Sequence, residues 1–181
     1  YRSYSIQGPY SDKKWYTGIN VNGTEYSLIS TSDAVLNTWS YVVLTYDGST
    51  IKLYINGQSE ASQVASGSIN TTSEPLYFGS HKYYASSDYW FDGSLDEVAI
   101  WDEALTATEI TALYNSGSGL TASANSGGYS SSSNLQGYWR FNEGTGTSVA
   151  DASSNSNSGT INGASWSTST QPTVSSVTST T

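Results

Sequence analysis

Cysteine and methionine are both absent from the 181 residues, and histidine occurs once, at His81. Without cysteine there can be no disulfide scaffold, thiolate zinc site, cysteine nucleophile or iron–sulfur ligation. A single histidine excludes multi-histidine metal centres and leaves a Ser-His-Asp triad with only one residue to draw on. Positive charge is scarce as well: Lys and Arg number 6 against 15 Asp and Glu, for a net charge of −9. Such a surface repels phosphate backbones and anionic lipid, so no nucleic acid partner is expected. No run of about 18 apolar residues occurs, so no membrane span is expected either. The chain opens at Tyr1 without a basic and apolar leader, and reads as a piece processed or excised from something longer.

What is abundant is aromatic and hydroxylic. Tyr numbers 15 and Trp 6, only 12% of residues are charged, and Ser with Thr make up nearly a third of the chain. This is a β-rich, secreted profile, closer to a carbohydrate-handling module than to a cytosolic enzyme.

Alternation with a period of two runs through the first hundred residues. Trp15 to Val21 and Glu25 to Ser30 flank Asn22-Gly23, a strong hairpin signal. Trp39 to Tyr46 and Ile51 to Ile55 follow, joined by Asp47-Gly48-Ser49-Thr50. Ile51, Leu53 and Ile55 share one face of the second strand, and Lys52, Tyr54 and Asn56 share the other, which is expected to be wet. Val42-Val43-Leu44 is apolar on both faces and is expected in the middle of a two-layer sandwich. Leu76 to Gly79 and Leu95 to Trp101 read as further strands, with His81 to Phe91 as the loop between them. Thr106-Ala-Thr-Glu109 is a capping box, stapled by Leu105 and Ile110, and predicts one short helix near 105–115 that stops at Asn115 to Gly117. A late strand is read at Tyr138 to Phe141, followed by a loop from Asn142 to Gly159.

Three of these segments, in order, carry a family resemblance. They are Trp39 through Gly57, Phe91-Asp-Gly-Ser-Leu-Asp-Glu-Val-Ala-Ile-Trp101, and the helix Leu105 to Tyr114. Together they resemble the laminin-G-like, pentraxin-like and concanavalin-type jelly rolls of bacterial modular extracellular proteins. The resemblance implies an all-β fold: an antiparallel two-sheet jelly-roll sandwich with one short helix. Gly137 to Gly146 and Asp151 to Gly163 look like a companion segment that opens such a domain or follows its helix. The opening strands usual in the family are not found upstream of Trp15. The expected organisation is a main jelly-roll part over 1–117 and a Ser/Gly-rich loop or linker over 118–136. A late strand segment over 137–166 completes the sandwich, and a Ser/Thr-rich inter-domain linker covers 167–181.

Two groups of residues are candidates for a site. His81, Tyr83, Tyr84, Tyr89 and Trp90 form an aromatic cluster. Sugar rings present apolar C–H faces that stack on flat side chains, while polar neighbours take the hydroxyls; the alternative is that several of these rings pack onto the sandwich. Asp151, Asn155 and Asn157 lie on a polar, Gly-terminated loop with oxygen ligands at close spacing, and calcium takes six to eight such oxygens. Family members often carry a structural Ca²⁺, which by resemblance adds Asp96 as a candidate ligand, with Glu143 weaker. The alternative is that Asp96 binds backbone amides at a strand start and the Asn/Ser loop is a set of turns. Glycoside hydrolysis needs paired carboxylates facing one bond. Asp96 and Glu97, read as neighbours on a strand, would point to opposite faces, so no catalytic residue is expected.

The function expected is therefore a non-catalytic, extracellular or cell-surface module for carbohydrate binding or adhesion, with glycans as partners. The competing expectation is a spacer or fibre subunit that contacts neighbouring proteins, or its own copies, by strand addition.

Overall fold

The computed structural model describes residues 2–83, 87–167 and 174. Its strands are β1 (Tyr4–Gln7), β2 (Tyr16–Val21), β3 (Thr24–Ile29), β4 (Val42–Tyr46), β5 (Thr50–Ile55), β6 (Gln58–Val64), β7 (Ser80–Tyr83), β8 (Ser87–Trp90), β9 (Val98–Trp101), β10 (Leu135–Trp139), β11 (Ser148–Val149) and β12 (Gly159–Thr160). The helix α1 spans Ala107–Tyr114. Every strand pairing among the described residues is antiparallel, so the fold is the all-β sandwich with one short helix.

Two three-stranded sheets, β1-β2-β3 and β4-β5-β6, form the sandwich. Ile19, Val21 and Leu28 from the first sheet meet Ile51, Leu53 and Ile55 from the second in one buried cluster. Alternation makes this possible, because one face of each strand is continuously apolar. Asn22-Gly23 and Asn56-Gly57 turn the hairpins, all four residues having positive φ (49°, 82°, 51° and 79°) as a tight two-residue turn requires. Glu60 on β6 clasps the end of the other sheet. Its carboxylate accepts from the Thr31 and Ser32 amides, both at 2.9 Å, and from the Thr31 hydroxyl. Burial pushes that carboxyl upward, but the hydrogen bonds outweigh it and hold it at about 2.

The second face of the β4-β5-β6 sheet is not wet. Tyr54 is only 4% exposed and lies with Val43 in a second core, built from Leu105, Ile110 and Leu113 of the helix region together with Leu135 and Tyr138 of the late strand. The expected polar side of β5 is covered because α1 lies across it. Tyr114 stacks on Tyr41, ring centroids 6.1 Å apart at 16°. The Tyr114 ring also sits so close to Gly57 that a Cβ there would stand 3.1 Å from it. The capping box forms as expected from Thr106 and Glu109, and Asn115 ends the helix in the left-handed region.

Several expectations are corrected. Strands β1 and β6 were not anticipated, and both are largely polar. Leu76 to Gly79 is not a strand; Leu76 and Tyr77 are 46% and 47% exposed. The segment 81–91 is not a loop but a hairpin, β7 against β8, in register Ser80↔Trp90 to Tyr83↔Ser87. The strand expected from Leu95 begins only at Val98, because Glu97 takes a positive φ of 50°. Asp96 and Glu97 therefore do not alternate across a strand. The late strand lies at Leu135–Trp139, pairs with β9 and stops before Phe141, whose φ is 53°. Residues 118–136 are irregular but not a free linker: Ala122 and Tyr129 are 3% and 2% exposed, and Tyr129 accepts a 2.8 Å bond from the Trp101 indole. The linker expected over 168–181 lies outside the described residues, Val174 apart.

Candidate functional site

The β7–β8 hairpin is rooted where β10 ends. The Phe91 amide donates to the Gly79 carbonyl at 2.9 Å, closing the hairpin stem. Phe78, just before it, packs edge-on against Trp139 (4.9 Å) and Phe141 (6.1 Å). On the other side of the stem a Cβ on Gly79 would lie 3.7 Å from Leu95. Trp90, opposite Ser80 at the stem, is 69% exposed, and Tyr77 two residues before Gly79 is 47% exposed. An indole is costly to leave in water, since burying it recovers a few kcal/mol of apolar free energy. Its display on a fixed hairpin is the principal feature of this end of the molecule.

A carboxylate cluster stands at the same end, on the chain between β8 and β9. Glu97 accepts a short hydrogen bond from the Tyr138 hydroxyl and an ion pair from Arg140 Nε at 3.4 Å. Tyr138 is 1% exposed, and burial first, then this bond to Glu97, pushes its phenol up to about 12. Asp96 accepts from the Glu97 amide at 3.0 Å. Burial first, then the neighbouring Glu97 charge, raises the Asp96 carboxyl to about 6. The positive φ of Glu97 is unusual for a non-glycine residue and costs on the order of 1 kcal/mol. The Tyr138 and Arg140 contacts offset that cost and hold the side chain inward.

The Asp151 loop does something different. The Asp151 carboxylate accepts from the Tyr138, Ser153 and Asn157 amides, each at 2.8 Å, and from the Ser153 hydroxyl at 2.9 Å. Asn155 and Asn157 each donate an amide N–H at 3.1 Å to the Gln136 carbonyl, and Ala152 N donates to Tyr138 O at 2.7 Å. Asn157 O accepts from the Trp139 indole at 2.8 Å. Burial alone would raise the Asp151 carboxyl, but the amides of Ser153, Tyr138 and Asn157 pull it below the ordinary carboxylate range. The loop thus satisfies the outer edge of β10, which would otherwise be an open template for another chain. These residues do not fit a calcium ion in this arrangement. Asp151 has its oxygens filled by N–H and O–H donors, and both asparagines turn nitrogen toward Gln136. Glu143, the weaker candidate, accepts from the Ala150 amide at 2.8 Å. Among the described residues no group of three or more His, Cys, Asp or Glu is close enough together to hold a metal.

The residues singled out from the sequence therefore separate into three places. His81, Tyr83 and Tyr89 lie on the two hairpin strands, their side chains outside the described set; Tyr84 lies outside the described residues altogether; Trp90 is displayed. Asp96 sits beside Glu97. Asp151, Asn155 and Asn157 form the edge clamp. Sequence reasoning missed the Glu97–Tyr138–Arg140 contact, and an Asp-Glu pair ahead of an apolar strand carries no mark of it. It also missed the second role of Glu109, which beyond its capping box accepts from Ser130 and Ser131. The Ser-rich run 130–133 was the available sign.

An antiparallel sandwich with a displayed indole at one end and no metal cage among its described residues defines a lectin-type β-sandwich domain. The chain belongs to the family described as the concanavalin A-like lectin/glucanases superfamily, whose laminin-G-like model matches residues 2–111. Among solved structures it is similar to a candidate carbohydrate-binding protein from Bacteroides ovatus, with 23% identity and a TM-score of 0.62. That match covers 83% of this chain and 40% of the other, so the chain spans well under half of that protein. It is also similar, at 29% identity and a TM-score of 0.39, to an S-layer domain-containing protein from Clostridium thermocellum, covering 56% of this chain and 51% of that one. No curated protein matches. Among the described residues no helix is long and apolar enough to cross a membrane.

Proposed function

We propose that this domain is a non-catalytic carbohydrate-binding module of a larger extracellular or surface protein, and that the β7–β8 hairpin carries its binding site. The observation that carries the reading is Trp90, 69% exposed on a fixed hairpin of a lectin-family sandwich. A flat ring held in place at little further entropy cost suits the apolar face of a sugar. A non-catalytic role is supported by Glu97, whose carboxylate is already engaged by Tyr138 and Arg140. A glycan array read with and without calcium tests the proposal. Binding that Trp90→Ala abolishes, with an unchanged melting temperature, is the expected result; silence across the array in both conditions refutes it.

One observation favours a second reading, that of a structural subunit completed by a neighbour. Strand β1 ends the β1-β2-β3 sheet and leaves Tyr4 and Ile6 42% and 46% exposed on the side that β2 buries. Strand addition there would cover them. Light scattering on the eluting peak in size-exclusion chromatography discriminates, since a monomer at all concentrations counts against it.

A further inference from the structure

We infer that the ligand of the hairpin site is an uncharged polysaccharide, held by ring stacking without a bridging cation. The inference rests on the carbohydrate-binding reading and narrows it. Anionic glycans such as uronates and sulfated chains need free cations or a bound metal at the site. The protein has 6 Lys and Arg against 15 acids, and three of the six are engaged in ion pairs: Arg2 with Glu25, Lys14 with Asp33, and Arg140 with Glu97. Arg140 is the described cation at the foot of the hairpin, and its Nε faces the Glu97 carboxylate. The chain that leads from Trp90 into β9 carries Asp92, Asp96 and Glu97. A polyanion approaching Trp90 would meet this acidic stretch, and the net charge of −9 would slow its encounter further.

Calcium is the usual way for an acidic surface to grip sugar hydroxyls or carboxylates. The one oxygen-rich loop of the chain is committed elsewhere. Asp151 already accepts four hydrogen bonds, and Asn155 and Asn157 bind the Gln136 carbonyl through nitrogen. Freeing those oxygens would uncap the β10 edge. What remains at the hairpin is exposed aromatic surface, Trp90 and Tyr77, which recognises the C–H face of a neutral ring and requires no charge from the ligand.

Affinity electrophoresis of the whole chain tests this. The gels contain neutral polymers (a β-1,3-glucan, a xyloglucan, a galactomannan), polyanions (polygalacturonate, heparin) or no polymer, each run with calcium and with EDTA. Retardation by at least one neutral polymer is expected, unchanged by EDTA and at least tenfold weaker in Trp90→Ala, whose melting temperature should match the parent. Retardation by polyanions alone, or by any polymer only when calcium is present, overturns the inference while leaving carbohydrate binding intact. Retardation by none of them, combined with a silent array, overturns the carbohydrate reading itself.

Discussion

Replacing Glu109 by glutamine removes one charge and alters no shape, which makes it a sharp probe of how the helix is fastened. The side chain is 6% exposed and both its oxygens are occupied. Oε2 accepts from the Thr106 amide at 3.0 Å and its hydroxyl at 2.9 Å; Oε1 accepts from the Ser130 amide at 3.2 Å and from the Ser130 and Ser131 hydroxyls at 2.9 and 2.6 Å. Hydroxyls can rotate to suit an amide, but backbone N–H groups cannot. Because each oxygen receives a backbone N–H, the new –NH₂ must oppose one whichever way the glutamine is turned. Burial works against the charged form, yet the Ser131, Thr106 and Ser130 hydrogen bonds hold the carboxyl at about 2 instead of the ordinary 4.5. At roughly 1.4 kcal/mol per pH unit that gap corresponds to about 3 kcal/mol. We expect Glu109→Gln to lose about 2–4 kcal/mol at pH 7, or roughly 5–15 °C in Tm for a chain of this size. The pH dependence has a definite sign. A carboxyl depressed by folding stabilises fully above its unfolded value near 4.5, and that stabilisation is lost as pH falls through about 2. The difference between parent and variant in urea titrations should therefore be constant from pH 7 to 5 and shrink toward pH 2. A difference below about 1 kcal/mol at pH 7, or one that does not change with pH, would refute this account of the helix anchor.

Three further outcomes follow from the geometry. Asp151→Ala strips four hydrogen bonds from the β10 clamp and should cost about 2–4 kcal/mol by urea denaturation, with EDTA leaving the parent's melting curve unmoved. Gly57→Ala places a methyl against the Tyr114 ring at a φ of 79°, so it should destabilise by about 1–3 kcal/mol, whereas Gly23→Ala, with open space around it, should cost less. Asp96 has its carboxyl raised from 3.8 to about 6, so folding favours its neutral form below pH 4 and that advantage is lost as pH rises through 6. Asp96→Asn should accordingly be more stable than the parent at pH 8 and no more stable at pH 3.5, as thermal melts at the two pH values would show.

Much of the sandwich was legible, and for a physical reason: β2, β3, β4 and β5 bury one continuous apolar face, and Asn-Gly turns need positive φ. The helix was legible because a capping box is a local device. Strands β1 and β6 were not, since Tyr-Ser-Ile-Gln and Gln-Ser-Glu-Ala-Ser-Gln-Val pair by backbone bonds at sheet ends and carry little periodic signal. Tyr54 looked solvent-facing because the helix that covers it lies some fifty residues downstream. At the candidate site, the composition of the Asp151 loop was visible but its use was not. An asparagine side chain carries both a donor and an acceptor, and nothing local says which end faces inward. The left-handed turn at Glu97 was hidden for a similar reason, as it depends on Tyr138 and Arg140 from another part of the chain.

The β4-β5-β6 sheet has a core on each face, with Leu53 and Ile51 on one side and Tyr54 and Val43 on the other. It is a party wall between two rooms, and neither room can be emptied without shifting it. Loss of packing against the helix tilts Tyr54 and the backbone that also carries Ile51, Leu53 and Ile55. Damage on either side should therefore register as lower stability of one shared unfolding transition rather than as two separate ones.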